Sequence, residues 1–184
     1  MVHLEKCALI DLDETHLPLL LQWRNSERVR SFMFRDHIIT WEEHKAWYQK
    51  YQSGRQTVCK TFLVNDKPLG FVSVYDIDRY NGICKWSIYI GDDAAPRGSG
   101  TAMGYLALNV VFDELKVRRC CSEIFAFNKV SIRYHQKLGF HEEGKLVMHI
   151  KKQDRYEDIV LMALFDEKWS EMKQGIAHAF PKEH

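Results

Sequence analysis

The 184-residue sequence lacks an excess of charge of either sign. Lys and Arg number 26 against 25 Asp and Glu, a formal net charge of +1. No field of one sign argues for nucleic acid or an anionic membrane as partner, although a local basic patch around a small anionic ligand stays open. There is no run approaching ~18 apolar residues, so no membrane-spanning helix is expected. The opening MVHLEKCALIDLDE is charged within its first six residues and has no apolar stretch of leader length, so no secretory signal is expected. Repeats, low-complexity tracts and Pro/Gly-rich linkers are absent. Cysteines are few and odd in number: Cys7, Cys59, Cys84, Cys120 and Cys121, with no C-x-x-C spacing. The adjacent pair follows a basic turn, a poor zinc arrangement, so no metal site is expected and all five read as reduced thiols of a cytoplasmic protein.

What is present is enough for one core: 46% of residues are hydrophobic. Residues 1–174 read as a single domain and 175–184 as a flexible tail. A strand over Cys7–Asp11 and a helix over His16–Arg24 come first. Thr40 with Glu43 three residues on is a capping-box pattern opening a helix over Trp41–Gln52, which Gly54 closes. Strands follow at Val58–Val64 and Leu69–Tyr75, joined by Asn65-Asp66-Lys67-Pro68. After the hairpin signal Asn81-Gly82, Cys84, Trp86, Ile88 and Ile90 alternate with polar neighbours, a period of two. Met103, Leu106, Ala107, Val110, Val111 and Leu115 recur with a period near 3.6, a helix ending near Lys116. A strand at Cys121–Phe127, a helix over Val130–Leu138 closed by Gly139, strands at about Leu146–Lys152 and Ile159–Leu164, and a helix over Phe165–Gln174 complete the order. Three adjacent antiparallel strands followed by crossover helices imply a mixed α/β fold, its sheet covered by helices.

Between the fourth strand and the third helix lies Pro96-Arg97-Gly98-Ser99-Gly100-Thr101-Ala102. Glycines let the backbone approach a ligand closely. The free N–H groups of the first helical turn, with the helix dipole, suit a diphosphate, and Arg97 can add a charge-assisted bond. The spacing is neither that of a P-loop nor G-x-G-x-x-G.

Arg97–Ala102 resembles the pyrophosphate loop R/Q-x-x-G-x-G/A of the GNAT superfamily of N-acetyltransferases. Asn128–Gly144 resembles that superfamily's N-x-x-[AS]-I-x-x-Y-x-K-x-G-F-x-x-E-G segment. The likeness covers roughly residues 5–165. It implies a mixed, mostly antiparallel sheet of about seven strands, splayed between strands 4 and 5, with acetyl-CoA as cosubstrate. By resemblance, the pantetheine arm would bond to the backbone of Ile88, Tyr89 and Ile90. The pyrophosphate would sit on Arg97, Gly98, Ser99, Gly100, Thr101 and Ala102, with Asn128 and Ser131 also facing the coenzyme. The substrate amine would attack the thioester directly.

The superfamily's acid is often the tyrosine of the second motif. Here that position holds His135, with Tyr134 beside it about 100° round the helix. Histidine can donate a proton near neutral pH, so His135 is the expected acid and Tyr134 the alternative. Glu123 is the expected general base. Asn128 can also serve simply as a helix cap.

Trp23-Arg24-Asn25, Val29-Arg30 and Met33-Phe34, with Trp41, His44 and Trp47 beyond, resemble one subgroup. These are the acetyltransferases of pseudaminic acid biosynthesis, which serve flagellin glycosylation and act on a UDP-linked 4-amino-4,6-dideoxy sugar. The resemblance implies Arg24, Asn25, Arg30, Met33, Phe34 and His44 as acceptor contacts. A protein N-terminal or lysine acetyltransferase and a non-catalytic acyl-CoA-binding module are the alternatives. A homodimer is left open.

Overall fold

The computed structural model describes residues 1–54 and 56–181. Seven strands form one sheet in the order β1-β2-β3-β4-β5-β7-β6: β1 Cys7–Asp11, β2 Val58–Val64, β3 Lys67–Asp78, β4 Ile83–Ile90, β5 Arg119–Phe125, β6 His141–Lys152 and β7 Arg155–Phe165. Every neighbouring pair is antiparallel except β4 and β5. That parallel pair holds register over only Ile83↔Arg119, Cys84↔Cys120 and Lys85↔Cys121. Beyond it β4 runs on to Ile90 and β5 to Phe125 without pairing to each other, so the sheet opens into a gap there, as the resemblance implied.

The helices are α1 Leu17–Asn25, α2 Glu27–Arg30, α3 Trp41–Ser53, α4 Ser99–Asn109, α5 Lys129–Lys137 and α6 Asp166–His178. The capping box of α3 is present in full: Thr40 Oγ1 accepts from Glu43 N at 3.2 Å, and Glu43 Oε2 accepts from Thr40 N at 2.8 Å. The short α2 was not expected. The helix expected to reach Lys116 instead widens after Asn109 into a π-type turn over Val110–Glu114, where Leu115 N donates to Val110 O at 2.9 Å.

Alternation along the strands divides the sheet into two faces. One carries Val72, Val74, Cys84, Trp86, Cys120 and Ile124 into the larger core with Met103, Leu108, Leu138 and Trp169 of the covering helices. The other packs Cys59 and Phe71 against Leu17, Leu20, Trp23 and Tyr48 of α1 and α3. Fully burying a Leu such as Leu17 or Leu20 stabilises the fold by about 1.5–3 kcal/mol.

Two further boundaries differ from expectation. The residues taken as a tail begin inside α6, which runs to His178, and Phe180 beyond it is buried at 7% exposure in the larger core. Residues 182–184 of that tail lie outside the described residues. The sixth strand starts at His141 rather than Leu146. It is an exposed edge strand, broken by register shifts at Glu142/Gly144 and Leu146/Ile150, so it shows no clean alternation. Among the described residues no helix is long and apolar enough to cross a membrane, and all five cysteines are free thiols.

Candidate active site

The gap between β4 and β5 opens into a cavity of about 630 Å³ that spans the sheet. On the α4 and α5 side it is lined by Trp86, Ile88, Ile90, Gly100, Met103, Ser122, Asn128, Ser131, Tyr134 and His135. On the other side it meets Arg24, Arg28, Met33, Phe34, Arg35, Tyr75, Ser87, Tyr89, Glu123 and Phe125. Two substrates can therefore approach each other through the sheet.

The phosphate turn sits at the mouth of the first side. Gly98 is the N-cap of α4 with φ 98° and ψ −14°, a left-handed conformation that glycine adopts without strain. A Cβ at Gly100 would meet only Tyr134 Cε2, at 3.8 Å, so the backbone there is open to a ligand. The N–H groups of Gly98, Gly100 and Thr101 have no acceptor among the described residues. Those of Ser99 and Ala102 do: they donate to Pro96 O and Gly98 O at 3.1 and 3.0 Å, and Ser99 Oγ also turns back to Pro96 O. Ser99 and Ala102 thus shape the turn, and Gly98, Gly100 and Thr101 hold its free N–H groups. Arg97 is exposed, and Lys137 adds a second cation by donating to Thr101 Oγ1 at 3.0 Å. This set of free amides and cations at a helix N-terminus fits a diphosphate. Acetyl-CoA supplies an activated acetyl thioester; the unpaired edge of β4, from Trp86 to Ile90, is the backbone free to hold its arm.

His135 does not have the geometry of an acid. It is 5% exposed. Its Nδ1 lies 2.8 Å from Ser131 O, so the ring proton resides there; Nε2 accepts from Trp86 Nε1 at 3.2 Å and from Ser122 Oγ at 3.0 Å. The ring is wedged edge-on against Trp86 and Phe140. Burial pushes its pKa down to about 4. A neutral imidazole with its only N–H bound to a carbonyl has no proton to give at pH 7. Tyr134 is no better placed: its hydroxyl donates to Gly100 O at 2.7 Å, and burial raises its pKa. It props the phosphate turn, and a Cβ at Gly104 would lie 2.2 Å from that hydroxyl. Asn128 caps α5, its Oδ1 accepting from Ser131 N at 3.1 Å, and it lines the cavity as well.

Glu123 lines the gap on the face opposite His135. It pairs with Lys85 at 2.8 Å, and that hydrogen bond raises the lysine's pKa. Tyr75 lines the cavity on the same face. Its hydroxyl has no hydrogen-bond partner among the described residues, and its pKa is raised by burial and then by the Glu123 charge. Glu123 can accept a proton from an incoming ammonium, directly or through water. With His135 and Tyr134 engaged, the unengaged hydroxyls facing the gap among the described residues are those of Tyr75, Ser87 and Tyr89.

Of the expected acceptor contacts, Arg24, Met33 and Phe34 line the cavity. Phe34 packs edge-on against Phe125 at 5.0 Å, part of an aromatic wall. Asn25 and Arg30 line neither this cavity nor its neighbour. Asn25 clasps the backbone of Ile39 through Nδ2 to O at 2.8 Å and N to Oδ1 at 2.9 Å, and Arg30 binds Asp36 O at 2.7 Å and Glu27. Both pin the 31–40 loop. His44 is buried, bound to Leu17 O at 3.1 Å and stacked on Trp47, and burial lowers its pKa. It forms a wall of a neighbouring cavity. Sequence reasoning missed Tyr75, Lys85, Arg35 and Arg28; the last binds Gly91 O at 2.5 Å and Asp93 at 2.6 Å. Their place on the period-two face shared with Glu123 was the available signal for Tyr75 and Lys85.

Comparison with known proteins agrees with this geometry. The family described as "Acetyltransferase (GNAT) domain" matches residues 7–141. A prophage-derived uncharacterised N-acetyltransferase of Bacillus subtilis is 29% identical over 58% of this chain and 60% of its own length. The spermidine N(1)-acetyltransferase of Vibrio cholerae is 21% identical over 86% of this chain and 92% of its own. A crystal structure of spermidine N-acetyltransferase from Vibrio cholerae in complex with CoA and spermine superposes with a TM-score of 0.85 at 19% identity, covering 90% of this chain and 99% of that one. None of these is named as a nucleotide-sugar acetyltransferase, so the expected subgroup draws no support from them. With the family match spanning most of the chain and the gap, phosphate turn and fold all in place, this protein belongs to the GNAT acetyltransferases and is an acetyl-CoA-dependent acyltransferase.

Proposed function

We propose that the protein acetylates the amine of a small molecule other than a polyamine, and that a nucleotide-linked 4-amino sugar is the acceptor that fits best. The observation that carries this reading is the charge around the acceptor side. A polyamine brings several ammonium groups and needs carboxylates free to receive them. Among the described residues, Glu123 is the one carboxylate lining the gap cavity, and it is already paired with Lys85. Arg24, Arg28 and Arg35 line the same side. Nearby Asp36 is held by Lys152 at 2.9 Å, and Glu27 by Arg30. That surface suits a diphosphate, while Met33, Phe34 and Phe125 suit the methyl and N-acetyl groups of such a sugar. The spermidine acetyltransferases among the relatives support the opposite acceptor; the arginines argue against it here.

Glu123 would take the amine's proton, and the aromatic wall would exclude water from the gap. The test is free-thiol release from acetyl-CoA with a UDP-4-amino-4,6-dideoxy sugar, spermidine, and peptides bearing free N-terminal and lysine amines. The nucleotide sugar is expected to exceed spermidine in kcat/KM by about a hundredfold, the weight of a mismatched buried charge. Faster turnover of spermidine or of a peptide would replace this reading. Coenzyme binding with no turnover of any amine would leave the acyl-CoA-binding module.

A further inference from the structure

The acceptor side does not end at the gap. A second cavity of about 340 Å³ lies between α1, α3 and the face of β3 and β4 that carries Phe71, Ser73 and Ser87. It shares Arg24, Met33, Arg35, Ser87 and Tyr89 with the first. The polar side chains of that shared wall keep donors that lack acceptors among the described residues. Arg24 spends one terminal nitrogen on Arg35 O, but Nη1 is buried with no partner. An unpaired buried guanidinium N–H is unfavourable unless a ligand satisfies it. The Arg35 guanidinium makes no hydrogen bond or ion pair among the described residues, and the hydroxyls of Ser87 and Tyr89 make none either.

The positive charge of this region is balanced only in part, by Asp36 near Arg24 and by Glu43. Glu43 is the one carboxylate among the described residues lining the second cavity, and it is held at the N-terminus of α3 by Thr40 and His37. Beyond the donors the walls are apolar and aromatic. Trp47 stands edge-on to Phe71 at 6.1 Å and stacks on His44 at 5.3 Å, with 37% of its surface exposed. A rim with two arginines and free hydroxyls over an aromatic floor is the composition expected of a site for an anion attached to an apolar or planar group.

We propose that this second cavity is an anion subsite of the acceptor, in which Arg24 Nη1 and Arg35 grip a phosphate or carboxylate of the amine substrate while Trp47 and Phe71 hold its remaining body. The proposal rests on the acetyl-transfer reading of the gap and adds where the rest of the acceptor lies. It requires an amine and an anion in one molecule: the amine at Glu123, the anion at the wall the two cavities share.

The test uses protein saturated with coenzyme A, so that the phosphate turn is filled and no acetyl transfer occurs. Calorimetric titration compares matched probes that differ only in the anion: glucosamine 6-phosphate against glucosamine, and phenylalanine against phenethylamine. At least one anionic member is expected to bind about tenfold more tightly than its neutral partner, the weight of one charge-assisted contact. The pair that shows the preference distinguishes phosphate from carboxylate. Arg35→Gln, which removes a side chain with no bond among the described residues, is expected to abolish that preference and leave the neutral member's affinity unchanged; Arg24→Gln, which also loses the bond to Arg35 O, is expected to abolish the preference as well. Equal binding of both members in both pairs, or a preference that survives Arg35→Gln and Arg24→Gln, would overturn the subsite. Failure of the acetyl-transfer reading would show separately, as no thiol release from acetyl-CoA with the UDP-4-amino-4,6-dideoxy sugar, spermidine or the peptides.

Discussion

His135 offers the sharpest test of the site, because the structure makes it a neutral prop where the motif suggested an acid. Burial lowers its pKa to about 4 from 6.5, so the unfolded chain takes up a proton that the folded chain refuses between those values. The sign follows directly: the folded-state pKa is depressed, so the stability it carries is intact above pH 6.5 and is lost as pH falls toward 4. At ~1.4 kcal/mol for each tenfold change in a protonation equilibrium, the difference amounts to about 2 kcal/mol between pH 7 and pH 5, and about 3 kcal/mol by pH 4. His135→Gln can place an amide oxygen where Nε2 accepts from Trp86 and Ser122, while losing the bond to Ser131 O and the titration. Its stability at pH 7 should fall by about 1–3 kcal/mol, and the loss between pH 7 and pH 5 should be about 2 kcal/mol smaller than in the wild type. Urea unfolding at the two pH values measures both quantities, and the other histidines cancel in the comparison. In single-turnover acetyl transfer, His135→Gln should stay within about tenfold of the wild type, because removing a true general acid costs ~10²-fold or more. A folded His135→Gln protein slowed ~10²-fold or more, with an unchanged slope of stability against pH, would refute the reasoning.

Other substitutions follow from the same geometry. Gly100→Asp has room for its Cβ but sets a negative charge among the free amides of the turn, so acetyl-CoA affinity should fall by about a hundredfold or more while the unfolding midpoint barely moves; calorimetry checks the first and denaturation the second. Gly91→Ala would drive a Cβ to within 2.0 Å of the Trp23 ring, an overpacking expected to cost about 1–3 kcal/mol, readable as a lower midpoint in urea. Glu123→Gln should reduce kcat by ~10²-fold or more with acetyl-CoA affinity unchanged; retention of full rate would show that the amine's proton leaves by another route.

The sequence was most legible where structure is local. The Thr40–Glu43 capping box, the Asn128 cap and the turn at Gly98 involve residues within four positions of each other, and each formed where the pattern put it. The opening between β4 and β5 came from the resemblance, since no periodicity marks where two strands stop pairing. What could not be read depends on distant partners. His135 is set by Trp86, 49 residues away, and by Ser122, 13 away. Asn25 is taken by Ile39 and Arg30 by Asp36, across a loop whose return path the residues do not announce. The free donors of Arg24 and Arg35 likewise emerge only once α1 and that loop close over β4.

The central claim is that the open edge of β4 and the N-terminus of α4 hold the coenzyme, with the amine reaching it through the sheet. A crystal structure of the protein with coenzyme A tests this most directly. The pyrophosphate is expected on the N–H groups of Gly100 and Thr101, the pantetheine arm along β4 between Trp86 and Ile90, and the sulfur in the gap facing Glu123. A coenzyme bound with its pyrophosphate away from α4, or with its arm outside the gap between β4 and β5, would contradict it.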